Sequence, residues 1–490
     1  MLGRWAGRSE GPAVGARRVM PRLVSRTGAW AGIGLVFAAL GYEALSFYVR
    51  RPADPGRIVR ETLDLARQAE ASSTRGAEVQ QQVLALKEVA LAVARSLVER
   101  YPASADAWCV LGLVASRCGN RNGAVRCWQR SLDLAPEFSV AWHCLGRDAL
   151  QRAEYPLAVE RFRKALQAQP DVPEVLLALA DALTHVGNLQ EALEVCQKHL
   201  AVAPKSVEGW FRLGQIHLQL GQDAEAKRCH ARAVELDPDC KLALHSLALA
   251  CERMGELEEA RKYRRAFAQR EAQDRGSAER RRPKYDDLAA TRDVVATTCS
   301  AAARVYAAMG DPDAAEACWR RGAAADPNHL EPRLGLLTFY EEQERLEEAA
   351  QVAEELCRLR PQSLDYHLRA GWLRIRLGRW TQAEESFQRA TEVAPTRPEG
   401  FVALAQFYLS QDRVPAKAKE AASRAVELSP IAAHYYLLGT ACRRSGDLQE
   451  ARRALEQAAR LDPGKAEYRQ ALAAVLAQLR LLPPLEATSP

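Results

Sequence analysis

One spacing constrains this chain more than any other feature. Prolines stand at 102, 136, 170, 204 and 238, each 34 residues after the last. Side chains between them recur in the same rhythm. Trp108, Leu111, Gly112, Ala115, Gly119, Ala124, Trp128 and Pro136 are followed, 34 residues on, by Trp142, Leu145, Gly146, Ala149, Ala153, Ala158, Phe162 and Pro170. Only the Gly119 place changes character, to Ala153. A chain repeating on this scale buries its apolar surface between stacked neighbours rather than around one central core.

Each unit reads as two short helices. Trp108, Leu111 and Ala115 fall three and four residues apart and share one face of a first helix. Gly119 stands where that helix stops, because glycine tolerates the left-handed conformation of a C-terminal cap. Ala124, Trp128 and Ser131 repeat the spacing on a second helix, which Pro136 closes off. Small residues at Gly112 and Ala124 allow close approach, with the tryptophans filling the gap beside them. A 34-residue period carrying this residue set resembles the tetratricopeptide repeat (TPR). The resemblance implies an all-α fold, a right-handed superhelical solenoid of helix–turn–helix units.

Taken in order, 105–274 holds five units. The third and fourth keep the frame as Leu176, Leu179, Gly187, Ala192 and Pro204, then Trp210, Leu213, Gly214, Gly221, Ala226 and Pro238. The fifth has Leu244, Leu247, Gly255 and Ala260, but Ala272 where proline is due. The register then breaks, and 275–295 reads as a basic linker between two blocks. The second block, 296–465, brings five more units. It opens with Tyr306, Gly310, Ala315, Trp319 and Pro327 and ends with Tyr435, Leu438, Gly439, Gly446, Ala451, Leu455 and Pro463. Residues 466–480 read as a capping helix and 481–490 as a loose tail. Three departures predict looser packing: His199 and Gly322 for the usual alanine, and Glu344 for the usual glycine.

Upstream, 1–27 is arginine-rich, and 28–49 is apolar apart from Glu43, with Arg50 and Arg51 after it. That length and flanking predict a single transmembrane helix preceding the repeats; a cleaved signal peptide and a soluble helix are the alternatives. Basic residues are denser before the segment than after it, which favours repeats on the outer, periplasmic side, with a cytoplasmic placement as the alternative. Residues 52–104 form a helical lead-in: one helix over Arg57–Gln68, another over Ala77–Tyr101. The second carries Ala90, Ala94, Leu97 and Pro102 in repeat register, as a degenerate unit capping the stack.

No catalytic constellation is present. There is no phosphate loop, dinucleotide fingerprint, H-E-x-x-H or G-x-S-x-G, and the repeats leave no room for a separate catalytic fold. The chain is expected to be non-catalytic, with no cofactor. Net charge is +6 from 68 basic and 62 acidic residues, too slight a bias over this length to imply nucleic acid. The basic run 261–284 holds ten Lys/Arg against three acids, yet it has only Tyr263 and Phe267 as aromatics and reads as a solvated helix extension plus linker. Twelve cysteines show no CxxC and no zinc spacing. Several precede the bulky residue of a second helix (Cys127, Cys229, Cys318) and are expected to be buried packing residues. The cluster Cys229, His230, Cys240, His245 and Cys251 matches no common metal spacing, so no metal is expected.

In TPR proteins the first helix of each unit lines an inner groove. The resemblance therefore implies ligand-facing places at His143, Arg147, Asp181, His185, Phe211, Gln215, His245 and Arg253 in the first block. In the second it implies Arg304, Trp372, Arg376, Tyr436, Arg443 and Arg444. Aromatics beside guanidinium and amide groups suit an extended peptide. The expected function is a membrane-anchored scaffold that grips a protein or peptide. A soluble regulator touching nucleic acid or anionic lipid through 261–284, and an accessory subunit of a separately encoded enzyme, are the alternatives.

Overall fold

The computed structural model describes residues 53–71, 76–280, 287–411 and 414–481. The apolar segment 28–49 and the basic stretch before it lie outside the described residues. Among those described, no helix is long and apolar enough to cross a membrane. They form 23 helices and no strand.

The units appear where the proline frame sets them. Unit 1 pairs Ala105–Arg117 with Arg121–Leu134, unit 2 Ser139–Gln151 with Tyr155–Ala168, unit 3 Pro173–Val186 with Leu189–Val202, unit 4 Val207–Gln219 with Asp223–Leu236 and unit 5 Lys241–Arg253 with Leu257–Arg280. The second block runs from the pair Asp287–Ala308 and Pro312–Ala325 to the pair Ala432–Arg444 and Leu448–Leu461, followed by Ala466–Leu481. The span 275–295 is therefore helical at both ends, through Arg280 and again from Asp287.

The conserved rhythm has a packing cause inside each unit. In unit 1 a Cβ added at Gly112 would lie 2.5 Å from the Trp128 indole, and in unit 2 one at Gly146 would lie 2.6 Å from the Phe162 ring. The same plug-over-glycine contact recurs as His230 over Gly214, Phe387 over Gly371 and Leu455 over Gly439. The prolines serve as anchors as well as stops: the indole Nε1 groups of Trp108, Trp142 and Trp210 donate to the carbonyls of Pro102, Pro136 and Pro204 at 2.8–2.9 Å. His367 meets the Pro361 carbonyl in the same way.

The expected loosening at His199 is offset by its neighbour. His199 is buried, its Nδ1 lies 2.9 Å from the Pro173 carbonyl, and Gly209 supplies the room for its ring. At Gly322 the freed space is taken by Pro332 and Cys299. The turn glycines adopt positive φ, as at Gly119 (91°), and where glycine is absent Ala153 and Glu344 are held at 58° and 57°. Left-handed backbone costs a residue with a Cβ about 1–2 kcal/mol, so unit 2 and the pair Leu330–Glu342 and Leu346–Leu359 carry local strain for the frame's sake.

The blocks do not join end to end. Helix Asp287–Ala308, the first of the second block, packs along the lead-in helix Ala77–Arg100 and touches Ala105–Arg117 as well as its own partner Pro312–Ala325. It thereby supplies the first-helix partner that the degenerate lead-in unit lacks, and it serves both blocks at once. Arg100 pairs with Asp311 at 2.6 Å, Arg117 with Asp293 at 3.0 Å, and the Tyr101 and Tyr306 rings meet edge-on at 5.8 Å. Helix Pro55–Ala71 closes the other flank, with Asn120 donating to Thr62 and Arg126 pairing with Glu61. The chain leaves this hub through unit 1 and returns to it at residue 287.

Candidate functional site

First helices of neighbouring units touch one another, except that Leu330–Glu342 and Leu364–Arg376 make no comparable contact, whereas second helices make no such contact with each other among the described residues. First helices are therefore crowded onto the inner side of the stack, as the groove assignment requires. Because Asp287–Ala308 also touches Ala105–Arg117, this layer passes through the hub from one block into the other.

At that crossing lies a cleft of about 350 Å³, lined by Asp106, Cys109, Val110 and Leu113 from unit 1, Phe138 and Val140 from the start of unit 2, and Ala301, Arg304, Val305, Ala308 and Met309 from the shared helix. Its rim holds exposed apolar side chains: Leu113, Val140 and Met309 are 36%, 44% and 45% exposed. Arg304 donates to Glu331, which leaves Asp106 as the free charge on the opposite wall. Such a cleft accepts an apolar side chain and orients it with few polar contacts. Leu113 and Val140 occupy the same offsets as Arg147 and Asp106 in neighbouring units. A reading that favours charged and aromatic residues passes over them, and the contribution of the shared helix has no local signal at all.

The residues placed on the groove by resemblance fare differently. In the first block Arg147 and His185 are exposed and His143 is half-buried. Burial lowers the imidazole pKa of His143 and the Arg147 charge adds to the effect, so the ring is neutral near pH 7. Asp181 already pairs with Arg212 at 2.7 Å, and Arg212 also donates to Gln215. His185 stacks on Tyr155 with centroids 4.5 Å apart, and His245 lies against Phe267. Arg253 donates to the Leu218 carbonyl and pairs with Asp223. Phe211 does not present its ring to a ligand: it is buried with Ala233 and Ala243 and lies 5.6 Å from the His230 ring. The same offset in unit 2 places His143 5.9 Å from the Phe162 plug, so the inward contact belongs to the position.

In the second block the guanidinium groups are largely satisfied within the protein. Arg304 pairs with Glu331 and Arg376 with Glu344, acids of an adjacent unit. Trp372 is 40% exposed, with its inner edge on Phe387. Tyr436 packs on Tyr468, and burial together with its bond to Glu467 raises its hydroxyl pKa. Arg443 is half-buried beside it, and Arg444 is exposed. Hence Trp372 and the hub cleft, rather than the arginines, offer the unspent binding surface.

The suspected Cys/His cluster does not assemble. Among the described residues one metal-competent grouping exists, Cys251 with Glu256 and Glu259. The Lys227 ammonium pairs with both carboxylates, supplying the positive charge that a cation would bring.

Tetratricopeptide-repeat family models match residues 145–207, 300–363 and 368–433, 183–250, and 435–465, together more than half of the chain. Tetratricopeptide repeat protein 37 of Xenopus laevis is 30% identical over 180 residues, covering 34% of this chain and 12% of that protein. Protein FlbA of Caulobacter vibrioides is 29% identical over 168 residues, covering 34% of this chain and 28% of its own length. Among solved structures, MamA matches 34% of this chain and 97% of its own at 21% identity with a TM-score of 0.33. YrrB, a TPR protein with an unusual peptide-binding site, matches 41% and 97% at 18% identity, also with a TM-score of 0.33. The proline frame, the glycine sockets and the family models agree: the chain belongs to the tetratricopeptide repeat family.

Proposed function

We propose that this protein is a non-catalytic scaffold that binds a polypeptide along its first-helix face, with the hub cleft as the central subsite. The observation that carries this reading is the layer of first helices that continues from Ala105–Arg117 into Asp287–Ala308 at the hub, opening there into an apolar cleft built by both blocks. An extended chain lying along the layer would seat one apolar side chain between Leu113, Val140 and Met309 and lay neighbouring residues towards His143 and Arg147. Trp372 offers a second anchor in the other block. Two anchors on one rigid frame raise the effective concentration of the second contact once the first is made.

The reading includes a membrane anchor at 28–49, supported by its length, apolarity and flanking arginines. It places the repeats on the outer side. Affinity capture with the full chain tests the groove. Val140→Glu/Met309→Glu should lose the partner that wild type retains, while Leu461→Glu, at an exposed site on a second helix away from that face, should keep it; equal capture by both variants defeats the cleft assignment. Washing isolated membranes with high salt tests the anchor, since an integral segment stays with lipid and an electrostatically held protein is released.

A further inference from the structure

Two charges at the hub cleft have nothing within the protein to answer them. Asp106, on the cleft wall, and Arg147, on the neighbouring first helix, are exposed and make no ion pair or side-chain hydrogen bond among the described residues. Other charges around them are spent: Arg304 pairs with Glu331, Arg117 with Asp293, Asp148 with Arg121 and Arg152, and Asp181 with Arg212. Glu174 repeats the Asp106 place two units on and borders the window beyond Arg147. Helix geometry fixes how the two free charges stand to the apolar rim. Leu113 follows Asp106 by seven residues, two turns along the same face and about 10 Å of rise. Val140 and Arg147 hold the same two places on the first helix of unit 2, and the two helices touch. Packed helix axes lie about 8–10 Å apart, so the four side chains mark the corners of a quadrilateral. Its charges stand on one diagonal and its exposed apolar groups on the other. The charged diagonal spans about 14 Å, close to four residues of extended chain at about 3.3 Å each. Its midpoint falls between Leu113 and Val140, which both line the cleft.

We infer that the polypeptide seated at the hub carries a basic and an acidic residue four positions apart with an apolar residue midway. The basic group meets the Asp106 carboxylate, the apolar side chain enters the cleft between Leu113, Val140 and Met309, and the acid meets the Arg147 guanidinium. The inference rests on the cleft reading above and adds a charge order to it. Guanidinium takes a carboxylate through paired N–H donors, which fixes orientation as well as attraction. A segment with the same charge at both ends meets repulsion at one of them, so the two corners select among apolar segments that would all fit the cleft. Either chain direction satisfies both contacts, so the order holds read forwards or backwards.

The test selects a phage library of random dodecapeptides on the immobilised full chain. Wild type should enrich sequences with this charge order, and Asp106→Lys should instead enrich sequences with an acid on both sides of the apolar residue. Glu208→Lys, at the same place three units on, should enrich the wild-type order. A selected sequence, made as a free peptide, should bind Asp106→Lys and Arg147→Glu about tenfold more weakly than wild type. All three substitutions fall on exposed side chains, so the fold is retained. No enrichment, enrichment without the charge order, or the same order on wild type and Asp106→Lys overturns the inference. The double variant Val140→Glu/Met309→Glu tells its failure from that of the cleft reading. If the double variant loses the selected peptides while Asp106→Lys keeps them, the cleft stands and the charge order falls. If the double variant keeps them, the cleft reading falls and the inference with it.

Discussion

Units 2 and 4 are built to one plan and each departs from it once, in different places. Both anchor their tryptophan on the preceding proline carbonyl, Trp142 at 2.8 Å and Trp210 at 2.9 Å. Unit 2 plugs the socket over Gly146 with Phe162, but turns through Ala153 at a φ of 58°. Unit 4 turns through Gly221 at 71°, but plugs the socket over Gly214 with His230. Neither ring nitrogen of this fully buried histidine finds a partner. The frame thus dictates the volume of the plug and the handedness of the turn, and it tolerates the wrong chemistry at either, one fault at a time.

Four experiments sharpen or break that comparison. Acidification should separate the units most. Burial, with His217 adding, lowers the pKa of His230 from 6.5 to about 4. The unfolded chain therefore takes up the proton first as pH falls. Unit 4 is unaffected above about pH 6.5, loses stability between there and pH 4, and loses no more below. The full effect is about 3 kcal/mol, read by hydrogen exchange over 207–236 against unit 1, 105–134, which holds no histidine. Loss of protection in both units alike would place the acid sensitivity elsewhere. Gly146→Leu should cost about 3 kcal/mol through overpacking against Phe162, measured by urea unfolding. A cost below 1 kcal/mol would mean that the ring can move aside.

His230→Phe, which copies the plug of unit 2 into unit 4, should remove the acid response and stabilise by about 2 kcal/mol at neutral pH, because two unpartnered buried nitrogens disappear. A destabilised variant would show that Phe211 already fills the socket. Smallest is Ala153→Gly, which gives unit 2 the turn of unit 4 and should gain about 0.5–1 kcal/mol, the relief of left-handed strain less the entropy glycine adds to the unfolded chain. No gain in thermal midpoint would mean that Ala153 is not strained.

The repeat frame was legible because its determinants are local. A glycine, a plug 16 residues on and a proline anchor lie within one unit, and each leaves a mark on the sequence. The hub was not legible. Its two sides, Ala77–Arg100 and Asp287–Ala308, are separated by the whole first block, and the lead-in carries too little of the motif to announce that its partner helix is missing. The site was legible in part for the same reason. Offsets within a unit pointed to the first helices, but they could not show that Arg304 and Arg376 are already claimed by Glu331 and Glu344. Nor could they show that Phe211 turns inward, since its ring packs on the His230 plug and on Ala233 and Ala243 of the following helices.

The return of the chain to its own beginning sets different rules for copy number in the two blocks. Helix Leu257–Arg280, with 24 residues, spans about 36 Å, and with six further residues it must carry the chain from unit 5 back to the hub. Deleting or duplicating a unit between 105 and 256 changes the distance to be bridged and drags Asp287–Ala308 off its seat. Among the described residues the cap Ala466–Leu481 packs only on the last unit, so units inserted before that unit leave every upstream contact in place. Gain and loss of repeats are therefore free to act on one arm of the molecule and are locked out of the other.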